Sequence, residues 1–195
     1  MKTPIGDIKI RNSYDEMVVK EVVIERSYER WGGIKLEGNV LDCGAHIGSF
    51  SKLAICNGCT VTAVEPSPEN FLVLQENVPE AKLFYRAITN LPEVHMYIDN
   101  ERSELNKIAD SGVLVKGITL DELIDKPIDV LKMDIEGAEY EALYSCKKLH
   151  LVKQITMEYH DGAKALGELL LYLSNKGFEF GWIGGQGFGH LQMKR

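Results

Sequence analysis

The chain has 195 residues, 45% of them apolar, and sets 22 Lys+Arg against 29 Asp+Glu for a net charge of −7. That is one domain's length of chain, with enough apolar material for a core that needs no disulfide or metal staple. The acidic balance argues against a grip on nucleic-acid backbone, no apolar run nears the ~20 residues of a membrane span, and MKTPIGDIKIRNSYDE lacks the apolar stretch of a secretion signal, so a cytoplasmic protein is expected.

In chain order, Ser13-x-x-Glu16 reads as a capping box opening a helix from about Tyr14 to Trp31, stopped by Gly32-Gly33. NVLDCG (39–44) is a short apolar run closed by glycine, a buried strand in type. SFSKLAICN follows as a helix from Gly48, then TVTAVE (60–65) as a second strand. Ser67 and Pro68 make an N-cap with proline at the first helical position, ahead of a helix carrying Phe71, Leu72 and Leu74. KLFYRAI (82–88) is a third strand, and EVHMYI with GVLVKGI, within 93–118, is a β excursion around the polar stretch 100–110. A second capping box, Thr119-x-x-Glu122, opens the short helix TLDELID. IDVLKMD (128–134), a helix over GAEYEALYSCKKL, QITMEYH (154–160) and a helix over ALGELLLYLSNKG come next. The chain ends in two strand-like pieces around Gly184-Gly185-Gln186-Gly187, a hairpin pattern.

Strands alternating with helices imply an α/β fold, a mostly parallel sheet covered on both faces, to which the last hairpin adds an antiparallel strand. In such sheets ligands sit beyond the carboxyl ends of the strands, at the switch point. The four cysteines make no disulfide framework, and Cys56-x-x-Cys59 has no second pair to complete a zinc site. It reads as packing at a helix end.

At the first strand end, Gly44-x-x-x-Gly48 is a glycine turn between strand and helix. It is not the G-x-G-x-x-G of a dinucleotide site, because His46 stands where the middle glycine would be. Asp42 beside it disfavours phosphate and suits a ligand carrying a cation. Glu65, at the end of the second strand, can accept hydrogen bonds from a ribose. Together these match S-adenosyl-L-methionine, with its amino-acid tail at the turn and its ribose on Glu65. A ligand-free structural turn and an NAD site are the competing readings.

VLDCGAHIGSFS, TAVEPSPENFLVLQENV, TLDELID, IDVLKMDIEGAEYEAL and ITMEYH, in that order and spacing, resemble the FkbM family of S-adenosylmethionine-dependent methyltransferases over about residues 25–195. The resemblance implies a Rossmann-like class I methyltransferase fold: a seven-stranded, mostly parallel sheet with an antiparallel last strand and helices on both faces. A helical segment (1–38) would precede the core (39–195) within a single domain. It also implies O-methylation of a hydroxyl. On that basis Asp42, Gly44, Ala45, His46, Gly48 and Ser49 line the methionine end, Glu65, Pro66 and Ser67 the ribose, and Arg86 and Ala87 the adenine. The family usually has Asn or a small residue where His46 stands.

The chemistry is expected on the next strand ends. Lys132, Asp134 and Glu136 are spaced i, i+2, i+4, on one side of an extended chain. Glu158 and His160 repeat that spacing, and ionisable groups interrupting apolar strands need a reason. Methylation of a hydroxyl requires an oriented acceptor and a proton acceptor. Asp134 or His160 is the candidate base, with Lys132 steadying the oxyanion. Alternatively Asp134, Glu136 and His160 ligate a divalent ion, or the set is structural, with Glu136 capping the helix at Gly137. The metal-free base is favoured.

Glu139 is expected to pair with Lys132 or to stay on the helix surface. Tyr28, on the N-terminal helix, is expected to bond the cofactor's carboxylate. Trp31 and Trp182 read as packing residues, His95 and His150 as surface. The expected acceptor is a small molecule or saccharide in an open site, in a chain free to form homo-oligomers, with no strong nucleic-acid signal and no membrane signal. The alternatives are nitrogen-, RNA- or protein-directed transfer, and a cofactor-binding module without turnover.

Overall fold

The computed structural model describes residues 1–30, 33–99, 107–160, 163–184 and 189–195. The expectations for Trp31, Gly32, residues 100–106, the hairpin tip 185–187 and the Trp182 side chain lie outside the described residues. In chain order the elements are a hairpin of β1 (Lys2–Thr3) and β2 (Gly6–Asp7), α1 (Ser13–Val19), β3 (Asn39–Cys43), α2 (Ser49–Cys56), β4 (Thr60–Glu65), α3 (Pro68–Asn77), β5 (Lys82–Tyr85) and β6 (Ala87–Ile88). Then come β7 (Glu93–Tyr97), β8 (Lys107–Ala109), β9 (Val113–Ile118), α4 (Leu120–Leu123), β10 (Ile128–Met133), α5 (Glu139–Ser145), β11 (Val152–Tyr159), α6 (Ala163–Asn175), β12 (Glu179–Gly184) and β13 (Gly189–Lys194).

The main sheet has seven strands in the order β12-β13-β11-β10-β3-β4-β5. β5, β4, β3, β10 and β11 run parallel, and β13 is antiparallel to both neighbours. From β3 the chain winds outward through β4 and β5, then returns to β10 on the other side of β3. The crevice at a sheet's switch point therefore opens over the ends of β3 and β10. Alternation along these strands explains the burial on both faces. Val40, Val61, Ala63 and Val130 join the core beneath α1–α3, while Leu41, Cys43, Leu131 and Met133 join the one beneath α4–α6. β7, β8 and β9 form a separate four-stranded sheet with β6, in the order β6-β9-β7-β8.

Local signals decide several boundaries. Ser67 caps α3, with Pro68 at its start, and the Thr119/Glu122 capping box is complete. The first helix differs from the sequence expectation. Asn12, not Ser13, is its N-cap, accepting from the Asp15 N–H. The helix passes into a π-helical turn (Lys20–Ile24) and stops there, short of Trp31. Arg26, at φ 60°, breaks the helical path, so Tyr28 sits in a turn. The expected strand 82–88 splits at Arg86, β5 staying in the main sheet and β6 crossing to the small one. All four cysteines are free, with Cys56 exposed and donating to Ile5 O. Among the described residues no helix is long and apolar enough to cross a membrane.

Candidate active site

The turn after β3 is shaped by backbone constraints. Gly44 lies at φ +77°, and a Cβ there would sit 1.7 Å from the Asp134 carbonyl oxygen. Only glycine lets the ends of β3 and β10 come this close. The Gly44 and Ala45 N–H groups donate to Val64 O, tying the turn to β4. His46 follows at φ +52°, in the left-handed region that Asn tolerates better than most residues. Gly48, at φ +90°, starts α2 against Leu74. Ala45 and Ser49 are buried behind the turn.

Glu65 ends β4 as a buried carboxylate with donors on both oxygens. Oε2 accepts from His46 N at 2.8 Å, and Oε1 accepts from Ser67 N at 2.9 Å and Asn70 Nδ2 at 3.1 Å. Burial pushes its pKa up, and those donors pull against the rise. Gly44, His46, Glu65, Pro66, Arg86 and Ala87 line one cleft of about 720 Å³, open at its mouth, which continues to Asp134 and Glu136. Ser67 serves Glu65 from outside the cleft, as the α3 cap.

Asp42 and Lys132 pair in register across β3 and β10. Lys132 Nζ donates to Gly44 O at 2.6 Å and lies 3.3 Å from Asp42 Oδ1, and its side chain is only 4% exposed. Burial works against its charge, but Asp42, Asp134 and Glu158 outweigh that and raise its pKa. The second Asp42 oxygen accepts from Ser51 Oγ at 2.7 Å. Both residues therefore brace the turn from beneath. Lys132, expected to steady an oxyanion, is held away from the cleft by Gly44 O and Asp42.

Beyond Met133 the chain leaves the strand, so Glu136 does not continue the Lys132–Asp134 side. It adopts φ +52° and turns toward β11. Its Oε2 lies 3.2 Å from His160 Nε2, and Glu158 Oε2 is 3.8 Å from the same nitrogen. Glu139, fully buried, corrects two expectations. It is not on the surface, and it rather than Glu136 caps the turn. Its carboxylate accepts from Ile135 N at 2.9 Å and Gly137 N at 3.0 Å, and faces His160 Nδ1 at 3.1 Å. An acceptor-only carboxylate fixes the hydrogen on Nδ1 and leaves Nε2 toward Glu136.

Tyr28 donates to Asp134 Oδ2 at 2.9 Å and lies 3.4 Å from Glu158 Oε1, so its hydroxyl is engaged by protein carboxylates. Burial, with Asp134 and Glu158 beside it, pushes its pKa well up. Burial and the Asp134 charge lift Glu136 to about 8 and Glu158 to about 7. Burial alone would lower His160, but its bond to Glu139 and the neighbouring carboxylates raise it to about 9. Burial takes His46 the other way, to about 4. The ligand atoms of Asp134, Glu158 and His160 lie within 4.8 Å of one another, as do those of Glu21, Glu158 and His190. A shared proton or a divalent cation is compatible with that spacing.

The donor set of the cleft fits S-adenosylmethionine. Asp134 Oδ1 is shielded from solvent and has no hydrogen-bond partner among the described residues, on a residue lining the cleft. With His46 neutral and Lys132 tied beneath the turn, that end offers carboxylates to an ammonium and a sulfonium and disfavours a pyrophosphate. Sequence reading gave no site role to Arg11, Asp15, Asn70, Glu139 or His190. Glu139 had a signal, an acid in the first turn of a helix beginning after glycine. His190 had none, because its place opposite Glu158 depends on the β11–β13 register.

Solved structures confirm the fold. The ribosomal protein L11 methylase of Lactobacillus delbrueckii subsp. bulgaricus is 17% identical, with 80% of this chain and 69% of that one covered at a TM-score of 0.51. Fibrillarin from Aeropyrum pernix, crystallised with natively bound S-adenosyl-L-methionine, is 10% identical over 87% and 74% of the two chains at 0.55. The fibrillarin pre-rRNA processing protein of Methanococcus jannaschii is 14% identical over 83% and 67% at 0.51. No curated protein matches the sequence. The methyltransferase FkbM domain model matches residues 42–180, from the Asp42 turn through β10 and β11 into β12. The chain belongs to the FkbM family of S-adenosylmethionine-dependent methyltransferases.

Proposed function

We propose that this methyltransferase acts on oxygen, methylating a hydroxyl of a sugar, glycan or small metabolite. The carrying observation is that the cleft holding Glu65 and Arg86 runs on to Asp134 and Glu136, a carboxylate whose Oε2 lies 3.2 Å from His160 Nε2. The overall exchange converts R–OH and a sulfonium methyl into R–OCH3, a thioether and a proton. A hydroxyl gives up that proton only to a base held beside it. S-adenosylmethionine supplies the sulfonium methyl when bound. In this reading Gly44, His46, Glu65, Pro66, Arg86 and Ala87 hold it, with Asp42, Ala45, Gly48, Ser49 and Ser67 shaping their support.

Asp134 faces the cation and, with Tyr28, borders the acceptor. Glu136, in its ionised form, receives the acceptor proton, and His160, oriented by Glu139 and cationic below about 9, holds that carboxylate in place as its ion-pair partner. Glu158 sits opposite as a second acceptor. Carboxyl groups lifted to about 7 and 8 are stronger bases than an ordinary carboxylate and become available as pH rises through those values.

The test is transfer of a labelled methyl group from S-adenosylmethionine to three acceptor sets: saccharides and hydroxylated metabolites, total RNA, and ribosomal protein. Each is run with EDTA and with added Mg²⁺. The reading expects an alkali-stable methyl ether in the first set, unaffected by EDTA. Label found only in RNA or protein would replace the acceptor class. Loss of transfer in EDTA would assign Asp134, Glu158 and His160 to a metal.

A further inference from the structure

The N-terminal segment reaches the nucleoside half of the cleft through a chain of polar side chains that the methyltransferase reading leaves unused. Arg11 grips Asp15 with two parallel bonds, Nε to Oδ2 and Nη2 to Oδ1, both 2.9 Å. Asp15 is fully buried, and its Oδ1 also lies 3.4 Å from His46 Nε2. The same Arg11 Nη2 donates to Asn70 Oδ1 at 2.7 Å. Asn70 in turn donates from Nδ2 to Glu65 Oε1, and the His46 backbone N–H donates to Glu65 Oε2.

The direction of this chain follows from donor and acceptor chemistry. A guanidinium only donates, so it requires the amide oxygen of Asn70 on its own side and thereby turns the amide nitrogen toward Glu65. Flipped, Asn70 would set its oxygen against the carboxylate. Asp15 holds Arg11 in place and braces the ring of His46, a residue in a strained left-handed conformation. One donor on each oxygen of Glu65 is thus linked to the ion pair between Arg11, just before α1, and Asp15 within it. Three of the roughly four lone-pair sites of the carboxylate are occupied by these donors and Ser67, so the direction left open is set by them.

We infer that Arg11 and Asp15 are positioning residues for the cofactor's ribose: through Asn70 and His46 they aim the Glu65 carboxylate at the ribose hydroxyls. The inference rests on the reading of this cleft as the S-adenosylmethionine site. A residue that merely held the fold together would affect every ligand of the cleft equally, whereas this pair acts on the ribose hydroxyls alone.

The test titrates the full-length protein with S-adenosylhomocysteine and with its 2′,3′-dideoxyribose analogue. Arg11→Met is expected to weaken S-adenosylhomocysteine about tenfold, within the range for partners that orient a binding group, and to leave the analogue's affinity unchanged. Arg11→Lys keeps the charge opposite Asp15 but lacks the fork that spans Asp15 and Asn70. It should show the same selective loss with a melting temperature nearer the wild type. Equal weakening of both ligands, or unchanged S-adenosylhomocysteine affinity in both variants, would overturn the inference. A wild-type protein that binds neither ligand would overturn the cofactor reading and the inference with it.

Discussion

Gly44 and Glu139 carry more of the site than their size or charge suggests. At Gly44 the left-handed backbone and the Asp134 carbonyl 1.7 Å from any Cβ act together. Gly44→Ala should therefore cost more than about 2 kcal/mol, from strain and from forcing the β3 and β10 ends apart, measured by chemical denaturation of soluble protein. Glu139 satisfies two backbone N–H groups and one imidazole from a single buried carboxylate. Glu139→Gln keeps the shape and removes the charge. The His160 titration, followed by NMR of the imidazole, should move down from about 9, with a stability loss of about 1–3 kcal/mol from the disturbed hydrogen bonds. An unmoved His160 titration would show that Glu139 does not set its proton. Neither role follows from a residue's type alone. The glycine was legible because a strand end followed by glycine is a turn, but the buried carboxylate depends on a chain reversal at Glu136 that no periodicity records.

At the scale of elements, the strands and most helices were legible because both leave local patterns. β3, β4 and β10 are apolar runs bounded by glycine or acid, and α3 and α4 announce themselves through Ser67 and Thr119. For the first helix the sequence pattern places the start one residue late and the end too far on. Two candidate caps stand side by side, Asn12 and Ser13, and the choice between them rests on the Arg11–Asp15 pair that fixes where the chain turns. Asn12→Ala should lower stability by about 1 kcal/mol, while Ser13→Ala should be close to neutral. Urea midpoints of the two variants compare them directly, and equal losses would contradict the assigned cap. The Tyr14–Trp31 pattern ended early because the apolar positions continue while the backbone does not: a π-helical turn and Arg26 at φ 60° intervene.

In the whole molecule, charge collects where β10 and β11 end beside the start of the antiparallel β13, a convergence set by strand order and register. Glu158 at about 7, Glu136 at about 8 and His160 at about 9 all hold their protons more tightly than their ordinary values of 4.5, 4.5 and 6.5. For each, the stabilising contribution is complete below the ordinary value and is lost as pH rises through the folded one. His46, held at about 4, works in the opposite sense and only below its ordinary 6.5. Between pH 6.5 and about 9 the melting temperature should fall, by roughly 2–4 °C for each kcal/mol lost, and Glu136→Gln should flatten the slope. A rising melting temperature over that window would contradict the cluster as described. The central claim is that the Gly44 turn and Glu65 form an S-adenosylmethionine site, and calorimetric titration with S-adenosylhomocysteine tests it most directly. Micromolar binding by the wild type, indifferent to EDTA and lost in Glu65→Ala, is the predicted result. Absence of binding by a folded wild type, or full affinity in a folded Glu65→Ala variant, would contradict it.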